Sequence, residues 1–150
     1  MKFAYLFLFF FVACAGTNNK DIQFYDNWIK KNHLSHYKAI VIIPSVGCEG
    51  CITGMEKFVL ENAAKSKNIL YVFTEINSPK ALKIRLRNLS ENNIYFDVNN
   101  ELQYWKKDYA IYPSVIILKN EKARKILLIK PSTNTGYEKL YEILVENDSN

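Results

Sequence analysis

The sequence predicts an α/β fold in which a central mixed sheet is covered by helices on both faces and ends in a β-hairpin and a helix. Two runs rich in β-branched residues, Ala39–Ile43 and Ile69–Phe73, are apolar at successive positions, as expected of strands that are buried on both sides. Segments with a helical apolar spacing alternate with these runs, and the last two strand-like segments are joined by a polar turn. With 150 residues, 49% of them hydrophobic, the chain is suited to one packed domain.

The first half of the chain predicts a helix, a strand and a second helix. One face of Asp21–Leu34 is apolar at helical spacing, and Asp21 is the expected N-cap. The first strand follows at Ala39–Ile43 and ends at Pro44. From Cys51, apolar residues recur at the spacing of a helix of about four turns.

In the second half of the chain, predicted strands again alternate with predicted helices. In order, the pattern predicts a strand at Ile69–Phe73, a helix opened by Ser78-Pro79, a short strand at Ile94–Val98, a short helix at Glu101–Asp108, a hairpin of Ser114–Leu118 and Lys125–Ile129, and a last helix from Thr135. We find no repeat and no second domain.

The amino-terminal segment has the three-part form of a secretory signal: Lys2, an apolar run from Phe3 and then small residues. The run is too short to span a membrane, which takes about 20 residues. Ala13-Cys14 at its end resembles the bacterial lipoprotein box, which implies lipidation of Cys14; the alternative is ordinary cleavage near Ala13 or Ala15. We therefore expect a signal at 1–15, a tether and N-terminal helix at 16–37, and the folded domain at 38–150, exported to the periplasm or cell envelope and lipid-anchored to a bacterial membrane.

Composition excludes several classes of protein. The net charge of +5 comes from 20 basic and 15 acidic residues, and the lysines are scattered rather than grouped in the basic stripe typical of nucleic-acid binding. Three cysteines are too few for a disulfide scaffold. No nucleic-acid partner is expected.

The motif that carries chemistry is Cys48-Glu49-Gly50-Cys51, placed between the first buried strand and the helix that follows. The free amides and the dipole at the start of a helix stabilise a thiolate at Cys48. Cys51, one helical turn further, is in phase with Met55 and Phe58 and points toward the apolar side of the helix. Cys48 is therefore the predicted nucleophile and Cys51 the resolving thiol, with no metal and no cofactor beyond this redox-active pair.

Two other interpretations of the pair remain open. Half of a zinc site would need two more ligands, and His33 and His36 are the histidines of the chain. A purely structural disulfide is the second alternative, although so small a ring removes little chain entropy from the unfolded state.

With the CxxC in this position, the segment from about Lys38 to Glu146 resembles the thioredoxin-like superfamily. The stretch Tyr109–Ser114 is similar to that family's cis-proline segment, which implies a cis Tyr112–Pro113 bond facing the disulfide. The resemblance also implies a substrate groove formed by Gly47, Tyr112 and Pro113; the alternative is that Pro113 simply starts a strand.

A second stretch makes the resemblance more specific. Asp97-Val98-Asn99-Asn100-Glu101, before a short helix and then Pro113, is similar to the turn of membrane-anchored, TlpA-like bacterial reductases. The closest type within the superfamily is therefore the extracytoplasmic thiol–disulfide oxidoreductase.

The chain also departs from that family. Gly47 stands where a Trp is common and Gly50 where a Pro is common, while Ile42 replaces a buried acid of the first strand and Gly54 a Glu that other members have. Because Glu49 lies inside the motif and the sequence places no cation nearby, the Cys48 thiol is expected to be only moderately acidic.

What the resemblance implies is an exported thiol–disulfide oxidoreductase that exchanges disulfides with the thiols or disulfides of partner proteins and acts as a monomer. The CxxC serves either direction of electron flow. The alternative is a non-catalytic thioredoxin-fold binding module or redox sensor of the cell envelope, which the missing acid and the missing Trp favour.

Overall fold

The computed structural model describes residues 19–87, 89, 92–102 and 107–148. In chain order the elements are α1 (Asn19–Lys31), β1 (Ala39–Pro44), α2 (Glu49–Asn62), β2 (Ile69–Thr74), α3 (Pro79–Arg85), β3 (Ile94–Phe96), α4 (Lys107–Ile111), β4 (Ser114–Lys119), β5 (Lys122–Leu128) and α5 (Thr135–Asp148).

The described strands form one five-stranded mixed sheet in the order β3-β2-β1-β4-β5. β1 pairs in parallel with β2, and β2 in parallel with β3. β4 runs antiparallel both to β1 and to β5, so the carboxyl-terminal strands form the expected hairpin. The predicted α/β architecture is confirmed: a central mixed sheet with helices and a carboxyl-terminal hairpin and helix, whose central strand, β1, leads into the CxxC.

Alternate residues of β1 face two separate apolar layers, because successive side chains of a strand point to opposite sides. Val41 and Ile43 pack with α2, α3 and α5, around Met55 and Phe58. Ile40 and Ile42 face the other layer, which buries three side chains of α1: Tyr25, Trp28 and Ile29. Both faces of β1 are thus covered by apolar side chains, which explains its unbroken apolar run.

The start of α1 differs from the prediction. The helix begins at Asn19, so Asp21 lies in its first turn rather than at the N-cap. Asp21 is buried, and the Tyr109 hydroxyl donates a hydrogen bond of 3.2 Å to its carboxylate.

The bounds of three shorter elements also differ. β3 ends at Phe96 because the Asp97 carboxylate accepts backbone hydrogen bonds from Glu101 and Leu102, at 2.9 Å each, which turns the chain. Of the helix predicted at Glu101–Asp108, the first two residues form a turn, residues 103–106 lie outside the described part of the chain, and α4 occupies Lys107–Ile111. β5 begins at Lys122 rather than Lys125, with a register shift opposite the end of β4.

The amino-terminal expectations lie outside the described residues. Cys14 and the whole of the predicted signal at 1–15 belong to that part of the chain. Within the described ranges, none of the helices has the length and apolarity to cross a membrane.

Candidate active site

The CxxC lies where β1 gives way to α2. Cys48 is the N-cap of α2, with an extended backbone (φ −68°, ψ 93°) and no side-chain capping bond. Its carbonyl accepts the first bond of the helix, from Ile52 N–H at 2.9 Å. The amides of the first turn lack intrahelical acceptors, so the Cys48 sulfur lies beside the positive end of the helix dipole.

Cys48 and Cys51 form a disulfide, with their Cα atoms 5.2 Å apart. Cys48 is half-buried, whereas Cys51 is 7% exposed and belongs to the buried side of α2 together with Met55 and Phe58. The predicted difference in accessibility is therefore present: one sulfur lies nearer the surface and the other faces the core.

Gly47 is in close contact with the end of α4. A Cβ at this position would lie 2.3 Å from the Ile111 carbonyl oxygen, and the φ of Gly47 is +142°, a conformation that favours glycine. The same carbonyl accepts a 2.9 Å hydrogen bond from Cys48 N–H. Sequence reasoning missed Ile111, although the glycine at the usual Trp position is a signal of such a contact.

The predicted cis bond at Tyr112–Pro113 is wrong. The described residues contain no cis peptide bond, so this bond is trans, the form that an X–Pro bond favours by about 0.5–1 kcal/mol. Backbone hydrogen bonds hold the chain on both sides: Tyr112 N–H donates to Asp108, and Ile129 N–H donates to the Pro113 carbonyl. The chain passes directly from α4 into β4, and the contact with the CxxC is made by Ile111.

Packing takes the place of the buried acid that is common in the family the sequence resembles. Ile42 is buried in the α1-side core, where its neighbours are apolar. At Gly54, a Cβ would already lie 3.0 Å from the Tyr137 hydroxyl, so a longer side chain has no room without movement of Tyr137. Glu49 is exposed, and Glu56 pairs with Arg85 at 3.0 Å.

A cavity of about 310 Å³ opens beside the disulfide. It lies between the start of α2 and the β5–α5 connection, and its lining comprises Cys48, Gly50, Cys51, Ile129, Lys130, Pro131, Thr133, Asn134 and Tyr137. Burial, and secondarily Tyr141, raises the pKa of the Tyr137 hydroxyl. Tyr137 is therefore a neutral member of the cavity lining.

Lys130, which the sequence does not mark as a site residue, lines the same cavity as Cys48. Its ammonium forms an ion pair with Asp108 at 3.2 Å and lies 5.2 Å from the centre of the Tyr112 ring. Sequence reasoning missed it because β5 brings Lys130 to the motif from the far end of the chain. No local pattern marks that approach.

His33 and His36 lie in the connection before β1, whereas the CxxC follows the end of that strand. Both are exposed. Six strand residues separate the two ends of β1 by about 20 Å, which is far beyond the reach of a shared tetrahedral metal site.

Taken together, the chain is a mixed α/β fold with a CxxC disulfide at the amino end of the helix that follows its central strand. Neither the protein-family models nor the curated proteins give a match to this chain. Among solved structures, it is similar to a solution structure described as "a Putative Thioredoxin from Neisseria meningitidis", with 18% identity over 77% of this chain and 81% of that chain and a TM-score of 0.48.

Proposed function

We propose that the protein is an exported thiol–disulfide oxidoreductase of the extracytoplasmic, membrane-anchored type. The observation that carries the disulfide exchange is the asymmetry of the CxxC: Cys48 at the surface end of α2 and Cys51 in the core, joined as a disulfide. Export and anchoring are proposed from the amino-terminal sequence alone. A partly exposed sulfur at a helix amino end is suited to attack, and a shielded neighbour is suited to resolve.

The exchange needs no organic cofactor. In the reduced protein, the Cys48 thiolate attacks one sulfur of a partner disulfide, and the other partner sulfur leaves as a thiolate. Cys51 then gives up its proton and attacks the mixed disulfide at Cys48. The partner departs as a dithiol, and Cys48–Cys51 carries the disulfide, so two electrons have passed to the partner. Run in reverse, the same steps oxidise a partner dithiol.

The partner would be a protein with an accessible thiol or disulfide, bound by a monomer of this chain. The proposed docking surface comprises exposed Gly47 and half-buried Tyr112, the neighbours of Cys48 and Ile111 in their backbone contact. Pro113, which the sequence predicts on this surface, is buried and directly follows Tyr112 in the chain. Because Gly47 has no side chain and its backbone lies exposed, a partner chain can approach the disulfide closely there.

The rival proposal is a non-catalytic binding module or redox sensor with the same groove. Ile42 favours it, because a buried aliphatic side chain cannot take up the proton of the resolving thiol. In that case the protein would bind a partner and exchange disulfides slowly.

Reduction of insulin by dithiothreitol separates the two proposals. The oxidoreductase should accelerate insulin precipitation, and Cys48→Ser should abolish the acceleration. Lys57→Met, at an exposed position of α2, is the matched control and should act as the parent does. A parent protein no faster than Cys48→Ser would support the binding module instead.

Export and anchoring are tested separately. If Cys14 carries a lipid, the protein should fractionate with membranes, and Cys14→Ser should release it as a soluble exported protein. A soluble parent protein whose amino terminus follows Ala13 or Ala15 would contradict the anchor and support ordinary cleavage.

A further inference from the structure

We infer that Lys130 tunes the attacking thiol: its ammonium stabilises the Cys48 thiolate across the cavity beside the disulfide, and Asp108 limits this effect. The inference rests on the proposed function in one respect, that Cys48 is the sulfur whose reactivity matters. It assigns Lys130 as a positioning residue of the site, acting through charge.

The first argument is the position of Lys130. Lys130 lines the same cavity as both cysteines, and its ammonium lies over the Tyr112 ring. Tyr112 directly follows Ile111, whose carbonyl accepts the hydrogen bond from Cys48 N–H. The lysine charge is therefore held on the segment that contacts the nucleophile.

The second argument is the charge balance around Cys48. Of the described residues that line the cavity, Lys130 alone carries a formal charge. On the other side of the motif lies a second cavity lined by Glu49, Glu56 and Arg85, and the latter two are paired with each other. Glu49 thus opposes a Cys48 thiolate, and Lys130 favours it.

The third argument is the restraint on the lysine. Its side chain is 36% exposed, and its ammonium is held by Asp108 from α4 and by the Tyr112 ring. Tyr137 of α5 also lines the cavity, and burial keeps its hydroxyl neutral by raising its pKa. Asp108 therefore offsets part of the lysine charge. Removing the charge of Lys130 and removing the charge of Asp108 should shift the Cys48 pKa in opposite directions.

The size of the effect follows from Coulomb's law. A unit charge in the lining of the same cavity, partly screened by solvent and by a counter-ion, shifts a thiol pKa by about 0.5–1 unit. Since the thiolate is the nucleophile, a shift of that size changes the reactive fraction at neutral pH by about three- to tenfold.

The test measures alkylation of Cys48 by iodoacetamide in the reduced full-length protein across pH, read by peptide mass. Lys130→Met should raise the Cys48 pKa by about 0.5–1 unit, Lys130→Arg should restore it, and Asp108→Asn should lower it. Lys57→Met, which also removes one positive charge but lies exposed on α2 beside Glu61, should leave the profile unchanged.

Equal profiles for Lys130→Met and Lys57→Met would overturn the inference. If Lys130→Met fails to fold, Asp108→Asn decides: an unchanged or raised Cys48 pKa overturns the inference, and a lowered one supports it. Alkylation requires no partner protein. A lysine-dependent thiol in a protein inactive toward insulin would therefore support this inference and count against the proposed function alone.

Discussion

At the scale of single residues, Gly47 is the clearest case of a residue dictated by its surroundings. The backbone of α4 lies where a side chain would begin, and φ is +142°. A Trp at this position, common in the family that the sequence resembles, would collide with the Ile111 backbone. The site is therefore built from a direct backbone contact rather than from an aromatic cover.

This contact predicts the effect of Gly47→Ala. The substitution should lower the free energy of unfolding by about 1–3 kcal/mol, because it combines backbone strain with a collision. Gly50→Ala is the control, since a Cβ there meets no atom within 4 Å, and it should be neutral or stabilise by up to about 1 kcal/mol. Urea unfolding measures both; equal effects of the two variants would mean that the Ile111 contact is absent.

Tyr71 predicts an alkaline loss of stability. Burial raises the pKa of its hydroxyl from 10.0 to about 12, against the opposing effect of the hydrogen bond with Ser66. The folded protein therefore prefers the neutral phenol. This contribution is complete below pH 10, the ordinary value, and is lost as pH rises toward 12.

The corresponding measurement compares urea unfolding of the parent and Tyr71→Phe at several pH values. Phenylalanine has no proton to lose. Between pH 10 and 12 the free energy of unfolding of Tyr71→Phe should therefore fall less than that of the parent, and the difference should be on the order of 2–3 kcal/mol. Tyr25 and Tyr109, whose pKa values burial also raises, titrate in both proteins and cancel in the comparison. Parallel curves would show that Tyr71 ionises as freely as in the unfolded chain.

At the scale of elements, α1 is a structural part of the domain. It supplies three buried residues to the face of the sheet opposite α2: Tyr25, Trp28 and Ile29. Ile29→Ala should therefore cost about 2–5 kcal/mol. Gln23→Ala, at an exposed position of the same helix, should change stability by less than about 0.5 kcal/mol. An Ile29→Ala variant as stable as Gln23→Ala would mean that α1 is not docked on the sheet.

The elements also show what sequence patterns can and cannot predict. β1 and β2 are buried on both faces, so their apolar runs mark them to within one residue. The apolar pattern predicts the start of β5 three residues after its actual start, because Ala123 is the buried residue among Lys122–Lys125. α4 depends on contacts with a distant segment, β1, of which the local sequence carries no record.

The same distinction holds for the candidate site. The CxxC and the orientation of its two sulfurs follow from local spacing, and the structure has both. Ile111 and Lys130 reach the motif through the sheet from distant parts of the chain, and the trans bond at Pro113 depends on how α4 enters β4. Long-range placement, rather than chemistry, is what the sequence left undetermined.

At the scale of the whole molecule, sheet topology assembles the site. β1 delivers the CxxC at its carboxyl end, and β4 begins beside that end because it runs antiparallel to β1, with Ser114 opposite Ile42. β5 runs antiparallel to β4, so its last residue, Leu128, lies opposite the first residue of β4, Ser114. Three connections therefore meet at one edge of the sheet: β1–α2, α4–β4 and β5–α5.

The central claim, that this edge performs disulfide exchange through Cys48, is tested most directly by trapping the mixed disulfide. Reduced Cys51→Ser and reduced Cys48→Ser are each mixed with oxidised insulin, and the products are identified by mass spectrometry without reduction. We predict that Cys51→Ser accumulates an insulin chain linked to Cys48, since the resolving thiol is missing, and that Cys48→Ser accumulates little. An insulin adduct on Cys51 of Cys48→Ser, in equal or greater yield, would contradict the account.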